Sequence, residues 1–537
     1  YAGIIGKSTA EVKNIKFKEI TVTAKYDNIG SIGRQEIGKV ENVELENITI
    51  TGRSNVGGLI GCSLSNITNI QATNITIQGN GEGTGGIVGY NANPGTIINT
   101  KIQDSNITGT GNNVGGISGY YGSNDTNNIS NLKSINNKIQ SEGNNVGGIV
   151  GYFNPLDRGI AEYFEVDNSE ISGVSNVGGL IGHSSFSNGY IQYSNVKDSL
   201  VKGISANSRN VGGIVGQANN YIRYDYVQNS EIISNGTKVG GIVGNYTFRT
   251  ISYVYVQDSK IEGVSKIGGI VGNIQHGTAA RNIFNTYTNA EIKAIEKDAG
   301  GIVGYYENEN INATNPSNIY NNSVEGSKIE APENVGGIIG YIETDLFTLS
   351  GQNYYRNNYV HAYLTSEDLI TTSLGIGSSK VENVKLTNFY VYKYSKINDQ
   401  YINEDIDNIK ENQYVTANQL KQENTYKNTF GWGTEYLYTT LQNNKYPILN
   451  NMQTEQEGID LPEDPIDAET AQANILQIAE KMENKIPLSI NSLTTENEGT
   501  EATNSEQNNN KAVTPTYEIY PISANEINID LNNIPEG

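Results

Sequence analysis

Apolar and polar residues alternate in short runs rich in Ile, Val and Thr along the first 380 residues of the chain. One such unit consists of Val40–Glu46, Asn47–Gly52 and Val56–Ile60. A period of two with β-branched residues predicts strands, whereas the frequent Gly and Asn residues oppose helix. The pattern therefore predicts three short strands in each unit.

A glycine phrase, clearest as Asn55–Gly61, closes each unit and recurs thirteen times between Gly6 and Gly377, at gaps of 27 to 37 residues. Units of this length that stack on their neighbours form solenoids. We therefore expect an all-β fold, a parallel β-solenoid or β-helix of about 13 coils, whose handedness the pattern leaves open. At ~4.8 Å per coil the array would be a rod of ~60 Å.

Asparagine and glycine mark the turns of each unit. An Asn precedes Val-Gly-Gly in six copies, where it can adopt a left-handed backbone conformation and form a side-chain ladder. The glycine pair predicts a bend where two backbone segments approach closely, so replacing Gly178 or Gly213 by Val should impair folding. The asparagines are Asn55, Asn113, Asn145, Asn176, Asn210 and Asn334. The repeat glycines that we expect to be structural are Gly57, Gly58, Gly61, Gly178, Gly179, Gly182, Gly212, Gly213 and Gly216.

The composition changes after the last glycine phrase. Aromatic residues, including the only Trp, gather between Phe389 and Tyr438 and predict a mixed cap that protects the open edge of the array. Proline and acidic residues then indicate a linker, in which Ala468–Asn484 predicts one helix and Thr494–Asn510 a disordered segment. We predict repeats in 1–384, the cap in 385–452, a mostly extended acidic linker in 453–513 and the start of a following β domain in 514–537.

Charge and cysteine content exclude several classes of protein. The net charge of −22 argues against nucleic acid as a partner, because a phosphate backbone requires clustered Lys and Arg. The single cysteine, Cys62, excludes a disulfide scaffold. No apolar run reaches the ~18 residues of a membrane span, so we expect no membrane insertion. The chain opens at Tyr1 inside a degraded copy of the phrase, and we expect it to be a piece of a longer protein.

The glycine phrase resembles the GLUG repeat of bacterial surface proteins. Those proteins include the region that precedes the catalytic domain in Gram-positive zinc metallopeptidases of the IgA1-protease type. Three later segments look like the element that closes the repeats in those proteases: Tyr414–Leu420, Phe430–Trp432 and Tyr446–Leu449. Two more look like the start of their next domain: Tyr517–Tyr520 and Ile527–Leu531.

The resemblance implies a secreted or wall-attached protein at the bacterial surface, which acts as a stalk or docks a host glycoprotein or glycan. The peptidase of that family carries His-Glu-x-x-His, whose two His residues bind zinc. None of the histidines here, His183, His276 and His361, begins this motif. We therefore expect a non-catalytic, monomeric chain without cofactor or metal, and we expect zinc only in a downstream domain.

Two other functions remain open. One is a GLUG-repeat adhesin without an enzyme, which binds host protein or glycan. The other is a carbohydrate-active β-helix enzyme, because Val-x-Asp/Asn-Ser recurs and brings Asp198 and Asp258 to equivalent positions, with Asn229 between them. Two coils separate these carboxylates by ~10 Å, which exceeds the spacing of inverting glycosidases. We interpret the phrase as a turn formed by the Asx and Ser side chains.

Two further motifs look catalytic in isolation. Cys62 and His183 could be a nucleophile and its base, but both directly follow the last glycine of a phrase, four coils and ~19 Å apart. Residues Gly81–Gly86 match a dinucleotide fingerprint without the helix that it requires. We interpret both as ordinary repeat positions.

A recurrent aromatic position is the main candidate for binding. Tyr163, Tyr193, Tyr224, Tyr253 and Phe284 precede the inward-facing positions of five successive coils, in what we interpret as one register. Residues at odd offsets from an inward side chain face outward, which predicts a continuous exposed stripe. Such tyrosines can stack sugar rings, anchor a protein partner or form only a stabilising ladder. The sequence leaves these interpretations open.

Overall fold

The computed structural model describes residues 1–92, 95–123, 128–155, 158–185, 188–275, 281–307, 318–343, 355–380, 386–402, 413–452 and 456–465. Within these residues the structure is almost entirely β-strand, and its parallel sheets wind into a β-solenoid, as predicted. The described residues all lie in one compact unit, Tyr1–Pro465.

The smaller sheet has thirteen strands, one for each copy of the glycine phrase. Each strand pairs in parallel with the equivalent strand of the next coil, as Ile60 does with Val88. Its strands are Ile5–Ser8, Ile32–Gln35, Ile60–Ser63, Val88–Asn91, Ser118–Ser123, Val150–Pro155, Ile181–Ser184, Val215–Ala218, Val243–Tyr246, Val271–Ile274, Val303–Tyr306, Ile339–Ile342 and Ile376–Ser379.

The larger sheet has 32 strands and forms the other sides of the coils. Short strands that lead into the glycine pair are Val56–Gly57, Thr84–Gly85, Val114–Gly115, Asn144–Gly147, Ser175–Gly178, Arg209–Gly212, Thr237–Gly240, Glu333–Gly336 and Thr372–Ser373. The others are Val12–Thr23, Val40–Gly52, Ile67–Gly79, Ile97–Gln103, Asn106–Gly109, Ile129–Ile135, Lys138–Ser141, Ile160–Asp167, Glu170–Gly173, Tyr190–Gln192, Asn195–Lys197, Leu200–Gly203, Tyr221–Arg223, Tyr226–Gln228, Glu231–Ser234, Arg249–Gly268, Arg281–Gly300, Asn318–Glu330, Tyr355–Thr365, Leu386–Tyr392, Lys396–Ile397, Gln400–Tyr401 and Tyr414–Val415.

About 11 turns are complete, slightly fewer than the thirteen predicted. The first phrase has no long strand before it, and in the second a single bridge at Ile29 replaces the strand that leads into the glycine pair. Equivalent apolar side chains nevertheless align through twelve successive coils. They are the buried residues Ile50, Ile77, Ile107, Ile139, Ile171, Val201, Ile232, Ile261, Ile292, Ile329, Leu364 and Ile397.

The repeat glycines occupy the crowded turn between the two sheets. A Cβ added at any of the nine glycines named above would lie 2.0 to 2.6 Å from a backbone atom. At Gly178 that atom is the carbonyl oxygen of Ile181, 2.0 Å away, and at Gly213 it is the carbonyl oxygen of Gly241, 2.1 Å away. Atoms cannot approach so closely without displacing the backbone, so the turn requires glycine.

Three bends of the coil carry non-glycine residues with positive φ. The six asparagines before Val-Gly-Gly have φ of 51° to 65°, which confirms the predicted left-handed conformation. They belong to the third bend. The second bend contains Glu19, Asn47, Asn74, Asp104, Asn136, Asn168, Asp198, Asn229 and Asp258. The first bend contains Asn14, Asn42, Asn69, Asn99, Asn131, Tyr163, Tyr193, Tyr224, Tyr253, Asn285, Asn321, Asn357 and Asn388.

The cap contains the helices that follow the last glycine phrase. Strands Leu386–Tyr392 and Tyr414–Val415 first continue the parallel sheet. The α-helix Ala417–Leu420 follows and begins with a capping box between Thr416 and Gln419. The remaining elements are the π-helix Thr425–Phe430, the 3-10 helix Thr439–Asn443 and the antiparallel pair Tyr436–Leu437 and Ile448–Leu449. Another 3-10 helix, Leu369–Thr371, lies in the last coil.

The cap folds back over the outer side of earlier coils. Its aromatic residues form one buried cluster with Tyr226, Tyr255, Tyr287 and Tyr359, which belong to the coils. The indole nitrogen of Trp432 donates to the backbone carbonyl oxygen of Asn357 at 2.9 Å. The cap is therefore held by contacts along the side of the solenoid as well as at its end.

The boundary between cap and linker differs from the prediction. Residues 456–465, which we predicted as linker, pack with the cap: Leu461 is buried and its N–H donates to the carbonyl oxygen of Asn444 at 2.9 Å. A buried Leu and a backbone hydrogen bond hold this segment although its composition is that of a linker. The predicted helix, the disordered segment and the following β domain lie outside the described residues.

Candidate functional site

The first bend carries an asparagine ladder. The amide nitrogen of each Asn donates to the side-chain oxygen of the Asn in the preceding coil, at 2.8 to 3.2 Å. Asparagine suits this bend because it tolerates positive φ and because its amide can both donate and accept. The ladder runs on both sides of a central interruption.

Four tyrosines form that interruption. Tyr163, Tyr193, Tyr224 and Tyr253, which we call the tyrosine stack, have φ of 54° to 60°. Neighbouring rings lie 4.9 to 5.5 Å apart between centroids, with interplanar angles of 3° to 25°. A bulky residue in this conformation costs ~1–2 kcal/mol. Strain of this kind persists only where the surrounding structure enforces it, and it clusters at functional sites.

Phe284 is not in register with the tyrosine stack, which corrects the predicted five-residue stripe. Ser252 pairs with Phe284, so Tyr253 is equivalent to Asn285. The coil that starts at Arg281 bends at Asn285, one residue later than we assumed. Phe284 still touches the stack, because its ring meets Tyr253 edge-on at 6.2 Å and stacks on Tyr320 at 4.8 Å.

The tyrosine stack is only partly exposed. Tyr163 is 39% exposed, and the other three side chains are half-buried. Burial raises the pKa of Tyr193 and of Tyr253, so these phenols stay neutral. Because neighbouring rings cover one another, the stack offers ring edges and hydroxyl groups along its length rather than open faces for sugar stacking.

Arginines extend this surface. Arg223 lies 4.2 Å from the ring centre of Tyr190 and 5.7 Å from that of Tyr224. Arg356 lies 5.4 Å from the ring centre of Tyr320. Neither arginine is among the predicted site residues, although an Arg next to aromatic positions in an acidic chain is a usable signal. We call the aromatic face the surface formed by the tyrosine stack with Tyr190, Tyr221, Phe284, Tyr320, Arg223 and Arg356.

The cap borders the aromatic face. The hydroxyl of Tyr436 donates to the backbone carbonyl oxygen of Asn321 at 2.8 Å, next to the first bend. Burial raises the pKa of Tyr253 and Tyr320, and the nearby carboxylate of Glu435 in the cap raises both further. The cap thus covers the first-bend ladder at Asn321 and comes near Tyr253 at one end of the tyrosine stack.

The structure separates Cys62 from His183. Both lie in the smaller sheet at one register, with Tyr90, Tyr120 and Tyr152 between them. Burial raises the pKa of the Cys62 thiol and lowers the pKa of His183 to about 4. A protonated thiol ~19 Å from the imidazole cannot form a catalytic dyad. The fingerprint residues Gly81–Gly86 lead into strand Val88–Asn91 rather than into a helix.

The second bend does not bring its carboxylates together. Asp198, Asn229 and Asp258 have φ of 47° to 49°, as a turn requires. The serine after Asn229 donates to the carbonyl oxygen of Gln228 at 2.8 Å. Asp198 and Asp258 line two separate surface grooves, of about 630 and 610 Å³. These observations favour turn formation over a pair of catalytic acids.

A buried polar cluster lies beneath the cap. Glu325 and His361 are partners in adjacent coils, and both are buried. The Glu325 carboxyl lies 2.6 Å from the hydroxyl of Ser323, and the Nδ1 atom of His361 lies 3.2 Å from the hydroxyl of Tyr446. Burial raises the pKa of Glu325 to about 8 and lowers the pKa of His361 to about 4. Both groups are neutral at pH 7, and His361 joins the coils to the cap through Tyr446.

Among the described residues, no group of three or more His, Cys, Asp or Glu side chains is arranged to hold a metal ion. His276 lies outside them. No helix in the described part of the chain has the length and apolar character needed to cross a bilayer. No family model, curated protein or solved structure matches the chain.

Proposed function

We propose that this chain is a non-catalytic stalk with a docking surface, within a longer secreted or wall-attached protein of a Gram-positive bacterium. The observation that supports docking is the tyrosine stack, where four successive coils have Tyr instead of the Asn that suits the first bend. Stability alone favours asparagine there, because tyrosine strains the backbone. The tyrosines therefore indicate a requirement other than folding.

The stalk role follows from the stacking of the coils. Parallel strand pairing joins each inner coil to both of its neighbours, and buried apolar residues form one continuous core. The thirteen strands of the smaller sheet span ~60 Å at ~4.8 Å per coil. A rod of this kind would hold a neighbouring domain away from its point of attachment.

The parent protein that we propose is a zinc metallopeptidase of the IgA1-protease type, with its catalytic domain downstream of this chain. The support is the resemblance of the glycine phrase and of three later segments. Those segments contribute buried residues to the cap: Leu420, Phe430, Trp432, Tyr446 and Leu449. A GLUG-repeat adhesin would use the same docking surface. The sequence after Gly537 separates the two, since only the peptidase contains His-Glu-x-x-His.

The docking role is tested by binding of the full chain to IgA1, the host glycoprotein that the resemblance implies. The test variant replaces Tyr163, Tyr193, Tyr224 and Tyr253 by Asn, the residue that most other coils have at this bend. We expect affinity to fall at least about tenfold, which corresponds to ~1.4 kcal/mol. Equal affinity of the variant, or no binding by the unaltered chain, would contradict docking of IgA1 at this surface.

A further inference from the structure

The guanidinium of Arg223 is held in place by its neighbours and forms no ion pair among the described residues. Its Nε donates to the side-chain oxygen of Gln192 at 2.8 Å, and the Gln192 amide donates to Glu162 at 2.8 Å. Its guanidinium stacks on Tyr190 at 4.2 Å. Within the described residues the guanidinium makes no other hydrogen bond. The nearby Asp225 carboxyl is buried, and burial raises the pKa of that carboxyl well above its ordinary value, so the two terminal nitrogens of Arg223 remain available for a ligand.

Arg356 lies in the same row of the solenoid. The pairing runs from Arg223 through Ser252, Phe284 and Tyr320 to Arg356. Four coils, or ~19 Å, therefore separate the two arginines along the axis. Arg356 is exposed and stacks on Tyr320, and it too forms no ion pair in the described part of the chain.

Several lysines of the solenoid pair with carboxylates in the adjacent coil. Lys133 pairs with Glu165 at 2.6 Å, and Lys328 pairs with Glu291 at 2.9 Å. Arg223 and Arg356 lack such partners among the described residues, and aromatic stacking orders both guanidinium groups. Arginine binds carboxylates with two parallel hydrogen bonds, so two ordered guanidinium groups with unused N–H groups indicate a ligand that carries carboxylates.

From this arrangement we infer that the aromatic face binds a linear polysaccharide that carries carboxylate groups and lies along the solenoid axis. Arg223 and Arg356 bind two of its carboxylates. The hydroxyl groups and ring edges of the tyrosine stack contact the sugar rings between and beside them. The inference rests on the proposed docking role and specifies the ligand class of the same surface.

The spacing of the coils favours a sugar chain over an acidic peptide. Equivalent groups on this face recur every ~4.8 Å, whereas side chains on one face of an extended peptide recur every ~6.8 Å. A peptide along the axis would therefore lose register with the tyrosines within a few coils. A hexopyranose ring, measured between its glycosidic oxygens, is close to one coil in length, so successive sugars stay in register with successive coils.

The test measures binding of the full chain to polygalacturonate by isothermal titration calorimetry. Fully methyl-esterified polygalacturonate and poly-glutamate are measured in the same way as comparison ligands. We expect polygalacturonate to bind at least tenfold more tightly than either. Binding should weaken as the salt concentration rises, because charged contacts are screened. The variant Arg223→Gln/Arg356→Gln should reduce affinity for polygalacturonate at least tenfold. The control Arg53→Gln, which removes an ion pair with Asp27 on another bend, should not.

Each result decides the inference. Equal binding of the esterified polymer, tighter binding of poly-glutamate or an unaffected arginine variant would overturn it. If polygalacturonate fails to bind while IgA1 binding still depends on the tyrosines, the docking role stands and the ligand class is wrong. If neither ligand binds the unaltered chain, both proposals fall. Circular dichroism of each variant checks that the fold is kept. We expect it to be kept in the arginine variant, because both arginines are on the surface and make no ion pair in the described residues.

Discussion

At the residue scale, the coil is shaped by side chains that accept a positive φ. At the third bend, as at the first, asparagines stack with amide hydrogen bonds, as between Asn145 and Asn113 at 2.9 Å. Each such bond contributes ~0.5–1.5 kcal/mol to stability. Tyrosine has no amide with which to continue the ladder, and ring stacking of ~0.5–1.5 kcal/mol per pair offsets only part of the loss.

The four tyrosines therefore limit the stability of the first bend. Replacing Tyr163, Tyr193, Tyr224 and Tyr253 by Asn should leave the melting temperature equal or higher, because the ladder becomes continuous and backbone strain falls. Replacing the same four by Ala removes the rings but leaves the strain and provides no amide. We expect the Ala variant to be less stable than the Asn variant by ~1 kcal/mol or more per site. Equal melting temperatures of the Ala variant and the Asn variant would contradict this account of the bend.

The last glycine of each phrase offers a second test at this scale. A Cβ at Gly182 would lie 2.4 Å from the backbone nitrogen of Val146, in the coil below. Gly6 holds the same place in the first phrase, where no atom lies within 4 Å of an added Cβ. Gly182→Val should lower the free energy of unfolding by ~3 kcal/mol or more, whereas Gly6→Val should change it little. Denaturant titration of both variants measures the difference.

At the element scale, the cap and the coils depend on each other. Outward-facing Tyr226, Tyr255 and Tyr287 stack at 4.7 to 4.8 Å, and they are buried only because the cap covers that side. Beneath the cap, Glu325 holds a proton in the folded state, since its pKa of about 8 exceeds the ordinary 4.5. Its neighbour His361 stays unprotonated down to a pKa of about 4, below the ordinary 6.5.

These two groups predict how cap stability depends on pH. Glu325 releases its proton on unfolding, so stability falls as pH rises from about 4.5 to about 8. His361 takes up a proton on unfolding, so stability also falls as pH drops from 6.5 to about 4. Of these two groups only Glu325 contributes between pH 6.5 and 8, and its loss should reach up to ~2 kcal/mol.

The single tryptophan reports on this element, because Trp432 is buried in the cap. Thermal unfolding followed by its fluorescence should show a lower midpoint at pH 8 than at pH 6.5. In Glu325→Gln this difference should become smaller, whereas replacing Glu330, an exposed glutamate on the same strand, by Gln should leave it unchanged. An unchanged pH response in Glu325→Gln would show that Glu325 is not the responsible group.

The elements themselves were largely predictable from sequence, whereas their mutual packing was not. The glycine phrase located one strand per coil and the third-bend asparagines, because both depend on local backbone geometry. The first-bend ladder was missed, although an Asn recurs two residues after Val12, Val40 and Ile67. The misplacement of Phe284 arose because coil lengths vary, so that a fixed offset shifts the register by one. The fold-back of the cap depends on contacts between distant residues, which no local pattern records.

At the scale of the whole molecule, the solenoid is a series of nearly equivalent coils. Each coil contacts its neighbours, so stability is close to a sum of coil and interface contributions. Because Tyr90 and Tyr120 are partners in adjacent coils, deleting residues 91–120 removes one coil and preserves the register. We expect this variant to fold, with circular dichroism per residue like that of the intact chain.

A deletion of half a coil is the matched control. Removing residues 91–105 joins Tyr90 of the smaller sheet to Asn106 of the larger sheet, and no strand then continues in register. We expect this variant to be insoluble or to lose its β-sheet signal, because every apolar residue beyond the junction would meet the wrong neighbour. Similar behaviour of the two deletions would contradict the modular account.

The backbone hydrogen bonds between coils run along the axis, and this orientation determines how the rod would respond to force. A pull on its two ends would open one coil at a time, since adjacent coils bear the load in series. Each coil of 27 to 37 residues would then release ~90–130 Å of extended chain. Coils under the cap have extra side contacts and should open last. The solenoid would therefore lengthen in steps under tension and absorb mechanical work before it breaks.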